Sequence, residues 1–337
     1  MRTLFAQMLA AQARGEDCMF VSIVASRGSV PRGAGSHMLV GAAGRICGTI
    51  GGGAVEGRCI EQAKGMLQTE ALPDETRCMQ TFSLDKDDQQ NLGMVCGGQV
   101  TVRMRRVRRS DEAIAVLAKE ALARFETGTR THLVEEMDSG ALSLVSGQEV
   151  LGAPLPHIIQ GIVDRPQILD AAGKRYYTEL LVRDERVWVF GGGHVAQALV
   201  PLLAGLDFRC VVVEDRAEFA DAALFPGAEA VCLLQVEEWE KKIHIGSRDC
   251  VCIMTRGHKS DLEGQAFALR SPAAYIGVIG SRRKIAETNE KLRALGFTDA
   301  QIARIITPIG LSIGAVTPAE IAVSIAAQLI AHRNAQR

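Results

Sequence analysis

The stretch Val187-Trp188-Val189-Phe190-Gly191-Gly192-Gly193-His194-Val195-Ala196 constrains this chain more than any other. A short apolar run breaks on glycines and a helical pattern begins at once, as where a parallel strand turns into a helix in a dinucleotide-binding unit. In this Gly-x-Gly-x-x-Ala frame Gly191 takes the tight turn and Gly193 lets backbone approach a phosphate. Ala196 is small enough for close helix–strand packing. A pyrophosphate would rest on the N–H groups at the helix start, beside His194. A second apolar run, Arg209 to Val213, ends in Glu214-Asp215. That is where a ribose-binding acid belongs, about 20 residues on. Such an acid accepts from a 2′-hydroxyl and repels a 2′-phosphate, favouring NAD over NADP, although Arg216 could receive that phosphate. The competing reading is a Rossmann-like turn whose glycines serve geometry alone.

The rest of this half repeats the strand–helix alternation. Ala230 to Leu233, Cys250 to Met254 and Tyr275 to Ile279 read as buried strands. The second of these ends at Thr255 to Asp261, placing His258 at the carboxyl edge where doubly wound sheets bind ligands. The third runs into Gly280-Ser281-Arg282-Arg283-Lys284, where a hydroxyl and three cations at a helix start suit a phosphate or oxyanion. Solvated charges at an ordinary cap are the alternative. Thr317, Pro318 and Glu320 form a capping box for a C-terminal helix through Ala331.

The first half reads as mixed α+β. A helix over 1–14 precedes a β-rich run, Met19 to Ala25, and a loop with Gly28, Pro31, Arg32, Gly33 and Gly35. A hairpin follows, 38–40 with 45–50, and then Gly51-Gly52-Gly53 opens a helix to about Leu67. Three glycines before a helix offer bare N–H groups to an anion, or else make a crowded turn without a ligand. Strands are expected over 76–83 and 99–104, a helix over 110–125, and hairpins with a connection over 130–180. Charge concentrates near 175–186, so the domains are placed at 1–180 and 181–337. Arg103, Arg105, Arg106, Arg108 and Arg109 read as a strand end and solvated helix start, or as an anion-facing patch. The fold class is therefore α/β: an N-terminal mixed α+β domain and a C-terminal Rossmann-like doubly wound parallel sheet.

Composition narrows the function classes. A formal net charge of −1 gives no global pull towards nucleic acid or anionic membrane. No run approaches the ~18 apolar residues of a spanning helix, and no signal peptide is read, so a cytoplasmic protein is expected. The nine cysteines show no C-x-x-C pair or zinc spacing, which suits a reducing compartment, and no metal site is expected. Cys250 and Cys252 alternate along a strand as core residues. Cys96 differs: it lies in the Gly-rich loop Gly93-Met94-Val95-Cys96-Gly97-Gly98, where flanking glycines allow close approach and nearby arginines favour a thiolate.

In order, Gly28-Ser29-Val30-Pro31-Arg32, Gly48 to Glu56, Met94 to Gly98, Phe190 to Ala196, Glu214-Asp215-Arg216, His258 to Asp261, Gly280 to Lys284 and Pro308 to Leu311 resemble the xanthine dehydrogenase accessory factor family, which includes carbon monoxide dehydrogenase maturation proteins. The resemblance covers roughly 18–105 and 186–331. It implies a chaperone that holds molybdenum cofactor (molybdopterin), supports its sulfuration with a cysteine desulfurase partner, and passes it to a molybdenum hydroxylase. It leaves homodimer formation open. Ala54 stands where many members carry a cysteine, which leaves Cys96 as the main candidate thiol. Thr255-Arg256-Gly257-His258 replaces a Thr-His-Gly-His pattern, which argues against a two-histidine metal site. The alternatives are an NAD(P)-dependent oxidoreductase, with His258 as base, and a nucleotide-sensing module. No Tyr-x-x-x-Lys pair supports the oxidoreductase.

Overall fold

The computed structural model describes residues 1–69, 77–84, 97–156, 161–256, 258–280 and 282–335, with the side chains of 258, 259 and 282–285 outside that description. The chain divides into two units, Met1–Arg183 and Asp184–Arg337.

The first unit begins with α1 (Arg2–Ala13), β1 (Cys18–Arg27), β2 (His37–Gly41), β3 (Gly44–Gly48), α2 (Gly53–Gln68), β4 (Arg77–Ser83), β5 (Gln99–Val107) and α3 (Glu112–Thr127). Its strands form an antiparallel sheet in the order β3-β2-β1-β5-β4. The run Met19 to Val24 is nearly all apolar because both faces of β1 are covered. Met19, Val21 and Ile23 pack under α2 through Val55, Cys59 and Ala63. Cys18 and Phe20 face α1 and α3 through Phe5, Met8, Ile114 and Ala118. Asp111 caps α3, accepting from the N–H of Ile114 at 3.1 Å.

Residues 130–180 are more than hairpins and a connection. β6 (Thr131–Glu136), β7 (Leu142–Ser146), β8 (Glu149–Gly152), β9 (Gln167–Ala171) and β10 (Lys174–Val182) make a second five-stranded antiparallel sheet, in the order β8-β7-β6-β10-β9. Its central strands bury Thr131, Glu135, Ser143, Thr178 and Glu179. Those polar residues interrupt the apolar alternation by which strands are read. Two of them tie the sheets together. Arg103 Nε donates to Glu135 at 2.7 Å, and His37 Nε2 lies 2.8 Å from Glu179.

The second unit is one parallel sheet, formed by β11 (Arg186–Phe190), β12 (Arg209–Glu214), β13 (Ala230–Leu233), β14 (Cys250–Ile253), β15 (Tyr275–Val278) and β16 (Ile305–Ile306). The order is β13-β12-β11-β14-β15-β16, so the winding reverses between β11 and β14, the place where such sheets open a ligand crevice. Alternate residues of β11 face opposite layers. Val187 and Val189 pack with α4 (His194–Gly205) and the C-terminal α9 (Pro318–Ala335). Trp188 and Phe190 pack with α6 (His258–Arg270) and α7 (Arg282–Ala294). Cys250 and Cys252 lie in the first layer, as their alternation implies. The capping box forms: Thr317 Oγ1 accepts from the N–H of Glu320 at 3.3 Å, and Glu320 accepts from the N–H of Thr317 at 2.9 Å. Among the described residues no helix is long and apolar enough to cross a membrane.

Candidate functional site

The crevice of the second unit begins at the turn after β11. Gly191 has φ +105°, and a Cβ there would lie 2.6 Å from the Met254 carbonyl oxygen. Only glycine fits both conditions. Gly192 is also closed in, with the Phe219 carbonyl oxygen 2.5 Å from where its Cβ would stand. Gly193 differs, because a Cβ built there meets nothing within 4 Å. Its side-chain position opens onto space that a ligand can enter. Gly193 also caps α4, so the helix start and exposed His194 border that space. Ala196 is fully buried against the sheet.

Glu214 and Asp215 part company. Glu214 is buried, and its carboxylate accepts from the N–H of Gly192 at 2.7 Å and from the N–H groups of Asp215 and Arg216 at 3.0 Å each. Arg216 adds a fork, Nε at 2.9 Å and Nη2 at 2.8 Å, and its guanidinium lies 4.0 Å from the Phe219 ring centre. Burial opposes ionisation of Glu214, but Arg216, Asp215 and the backbone donors outweigh it and hold the carboxyl at about 2. Glu214 therefore braces the turn, and its oxygens are engaged. Asp215, its side chain 43% exposed, is the acid turned outward, with its carboxyl raised first by the hydrogen bond with Glu214.

Together Gly191, Asp215, Arg216, Val236, Trp239, Thr255, Arg256 and Ser260 line a cleft of about 120 Å³. Trp239 is buried there in a tilted aromatic cluster with Phe190 and Phe267. Its indole Nε1 has no hydrogen-bond partner among the described residues. A buried donor of that kind suits the acceptor edge of a heteroaromatic ring. Sequence reasoning missed Trp239, because a lone tryptophan beyond a strand carries no spacing signal. Asp261, in the first turn of α6, is buried and accepts from the Thr255 hydroxyl. His258 and Arg282 with Arg283 begin α6 and α7. Their side chains, and Ser281, lie outside the described residues.

A second locus lies in the first unit. Gly51, Gly52 and Gly53 all have positive φ. The sequence left two readings, bare N–H groups or a crowded turn, and the N–H groups of Gly51 and Gly52 are engaged within the turn. The N–H of Gly51 donates to Thr49 Oγ1 at 3.1 Å, and those of Ile50 and Gly52 donate to Glu56 at 3.0 Å each. Buried Glu56 also accepts from the Thr49 hydroxyl at 2.5 Å and from Arg45 at 2.6 Å. Burial works against its ionisation, and these donors reverse the balance and lower its carboxyl. Exposed Arg32 runs past this turn, its Cβ 3.5 Å from where a Gly51 Cβ would stand. Gly98 packs against the same loop, with the Ser29 carbonyl oxygen 2.4 Å from its own Cβ position. Three motif loops thus meet at one end of the sheet. Cys96 lies outside the described residues, one residue before Gly97, where the description resumes.

Of the eight cysteine thiols among the described residues, five are buried and those of Cys47, Cys78 and Cys232 are half-buried. Burial pushes those of Cys18, Cys59, Cys210 and Cys250 up to about 12, and that of Cys252 well above the ordinary value. Among the described residues no three His, Cys, Asp or Glu side chains are grouped to hold a metal ion.

Comparison with known proteins places these loci. Residues 187–329 match the XdhC Rossmann domain, and residues 11–75 match the XdhC and CoxI family. The chain is 24% identical over 325 residues to a probable xanthine dehydrogenase subunit of Bacillus subtilis (strain 168), covering 94% of each. It is 22% identical over 332 residues to the molybdenum cofactor insertion chaperone PaoD of Escherichia coli (strain K12), covering 98% of this chain and 88% of that one. It is 25% identical over 328 residues to YqeB of the same organism, an uncharacterized protein, and spans only 46% of that relative's length. A crystal structure described as a xanthine dehydrogenase from Bacillus halodurans shares the fold, with TM-score 0.78 and 24% identity over 99% of this chain and 96% of that one.

Proposed function

Because the chain belongs to the XdhC and CoxI family, we propose that it is an accessory protein that binds molybdenum cofactor, supports its sulfuration with a cysteine desulfurase, and delivers it to a molybdenum hydroxylase. The observation that carries this reading is the likeness to an insertion chaperone along 98% of the chain. The second unit's cleft suits a holder. The Trp239 indole N–H meets a ring acceptor, the Thr255 and Ser260 hydroxyls take polar ring edges, and Arg256 faces negative charge. The cofactor supplies the molybdenum chemistry, and this chain's residues bind and orient it. Cys96 has the role of thiol contact or transient sulfur carrier; it directly precedes Gly97-Gly98 in sequence, and those glycines reach the Arg27–Val30 turn.

Purification from cells that make molybdenum cofactor, followed by mass spectrometry of the bound small molecule, tests the reading. A molybdopterin is expected on the wild-type protein. Cys96→Ser should lower both its retention and the activity of the client hydroxylase. Unchanged retention and client activity would make Cys96 a packing residue. A bound nicotinamide that turns over would instead favour the oxidoreductase, with His258 as base.

The outward Asp215 favours a second, nucleotide-sensing reading of the same cleft. Arg216 is tied back on Glu214, so the group left facing a ribose is a carboxylate. NAD should then bind roughly tenfold or more tightly than NADP, since a like charge facing the 2′-phosphate is costly. Asp215→Asn should narrow the gap in calorimetric titrations. Tighter binding of NADP by the wild-type protein would refute this preference.

A further inference from the structure

The arginines of β5 divide between its faces. Arg106 turns to Asp17, with Nε at 2.9 Å, and the backbone N–H of Arg109 reaches the same carboxylate at 2.9 Å. Arg103 and Arg105 lie on the opposite face, as residues two apart in a strand must. Arg77 joins them, because it is the direct partner of Arg105 in the β4–β5 ladder. Two like charges directly opposite one another destabilise a sheet.

The first unit neutralises Arg103 more fully than Arg77 and Arg105. Arg103 Nε is taken by Glu135 at 2.7 Å, while Arg77 Nη1 finds the Asp138 backbone carbonyl at 2.7 Å. Arg103 Nη2 and Arg105 Nη1 are buried with no hydrogen-bond partner among the described residues. Arg103 as a whole is only 4% exposed. Burial pushes the Arg105 guanidinium down from its ordinary value; Glu135 and Asp111 oppose that, and Arg103 and Arg77 add to it. The turn between β6 and β7 covers this face closely. A Cβ at Gly140 would stand 3.1 Å from Arg77 Nη1 and 3.5 Å from Arg103 Nη2. Beside the turn is an open cleft of about 310 Å³, lined by Arg77, Arg105, Arg106, Arg108, Asp111 and Ser139. Among the described residues Asp111 is the one carboxylate in that lining, and it caps α3.

We infer that this cleft is a binding site for a phosphate group, either free inorganic phosphate or a phosphate monoester. A tetrahedral dianion brings several acceptor oxygens to guanidinium forks, which match phosphate geometry. It supplies a partner for the Arg105 guanidinium, which lines the cleft, and relieves the repulsion between Arg77 and Arg105. The site needs neither the nucleotide cleft nor the cofactor reading.

Calorimetric titration of the full chain with inorganic phosphate, at constant ionic strength in chloride, tests the inference. The wild-type protein should bind. Arg105→Gln and Arg77→Gln should each weaken binding by roughly tenfold or more, as expected for losing one charge-assisted pair. Without phosphate, each variant should unfold at the wild-type temperature or above it, because one of two opposed cations is gone. Arg77, on the edge strand, carries the test if Arg105→Gln fails to fold. Absence of binding to the wild-type protein, or unchanged affinity in Arg77→Gln, overturns the site. Glycerol 3-phosphate separates the sources: tighter binding than inorganic phosphate identifies a monoester, and equal or weaker binding identifies the free ion.

Discussion

Glu214→Ala should lower the stability of the second unit by about 3–5 kcal/mol, the usual cost of breaking a buried ion pair from one side. The substitution strands the Arg216 guanidinium and the N–H groups of Gly192, Asp215 and Arg216 together. Both tryptophans of the chain, Trp188 and Trp239, belong to this unit, so their fluorescence during urea unfolding reports it alone. The pH dependence has a definite sign. The carboxyl is held at about 2 in the folded state, against an ordinary value of 4.5. Its contribution is therefore complete above about pH 4.5 and disappears as pH falls through about 2. Glu214→Gln should flatten the stability profile across that window. A loss below about 0.5 kcal/mol in the alanine variant would show that the turn holds itself.

Glu56→Ala should act on the first unit in a similar way, at about 2–3 kcal/mol, since hydrogen bonds to a charged group are the stronger kind. Arg45 adds little to that figure, because its side chain is 46% exposed and the pair is screened. The sensitive measurement is amide hydrogen exchange at Ile50 and Gly52, whose N–H groups the carboxylate holds. Protection there should fall roughly a hundredfold. Unchanged exchange at both amides would mean that three successive positive-φ glycines keep their shape without the acid.

These two acids mark how far the sequence can be read. The parallel sheet was legible because buried parallel strands are continuous apolar runs, and the Gly191 turn because few residues but glycine tolerate its backbone. An acid at the end of β12 reads the same whether it faces ribose or its own turn. The outcome for Glu214 depends on Arg216 folding back over Phe219, which no spacing rule encodes. Glu56 was visible only as part of a motif. Its bonds to Ile50 and Gly52 follow from backbone angles at Gly51 to Gly53 that composition permits but does not specify. The second sheet of the first unit was obscured by its own interior, where Glu135, Thr178 and Glu179 replace the apolar residues that reveal a strand. The arginines of β5 were noticed as a cluster, yet their division between two faces required the register that sets Arg77 opposite Arg105.

The buried thiols have a consequence for selectivity. With pKa values pushed up to about 12, Cys18, Cys59, Cys210 and Cys250 hold only on the order of one thiolate in 100,000 molecules near neutral pH. Cys252 holds fewer. The thiolate is the nucleophile, so an incoming persulfide, an alkylating agent or a metal ion is kinetically blind to these five positions while the fold is intact. Thiol chemistry on the native chain is left to Cys47, Cys78, Cys96 and Cys232. Electrophile labelling of the native protein followed by peptide mapping should find these five positions unlabelled, and labelling at any of them before unfolding would refute the shielding.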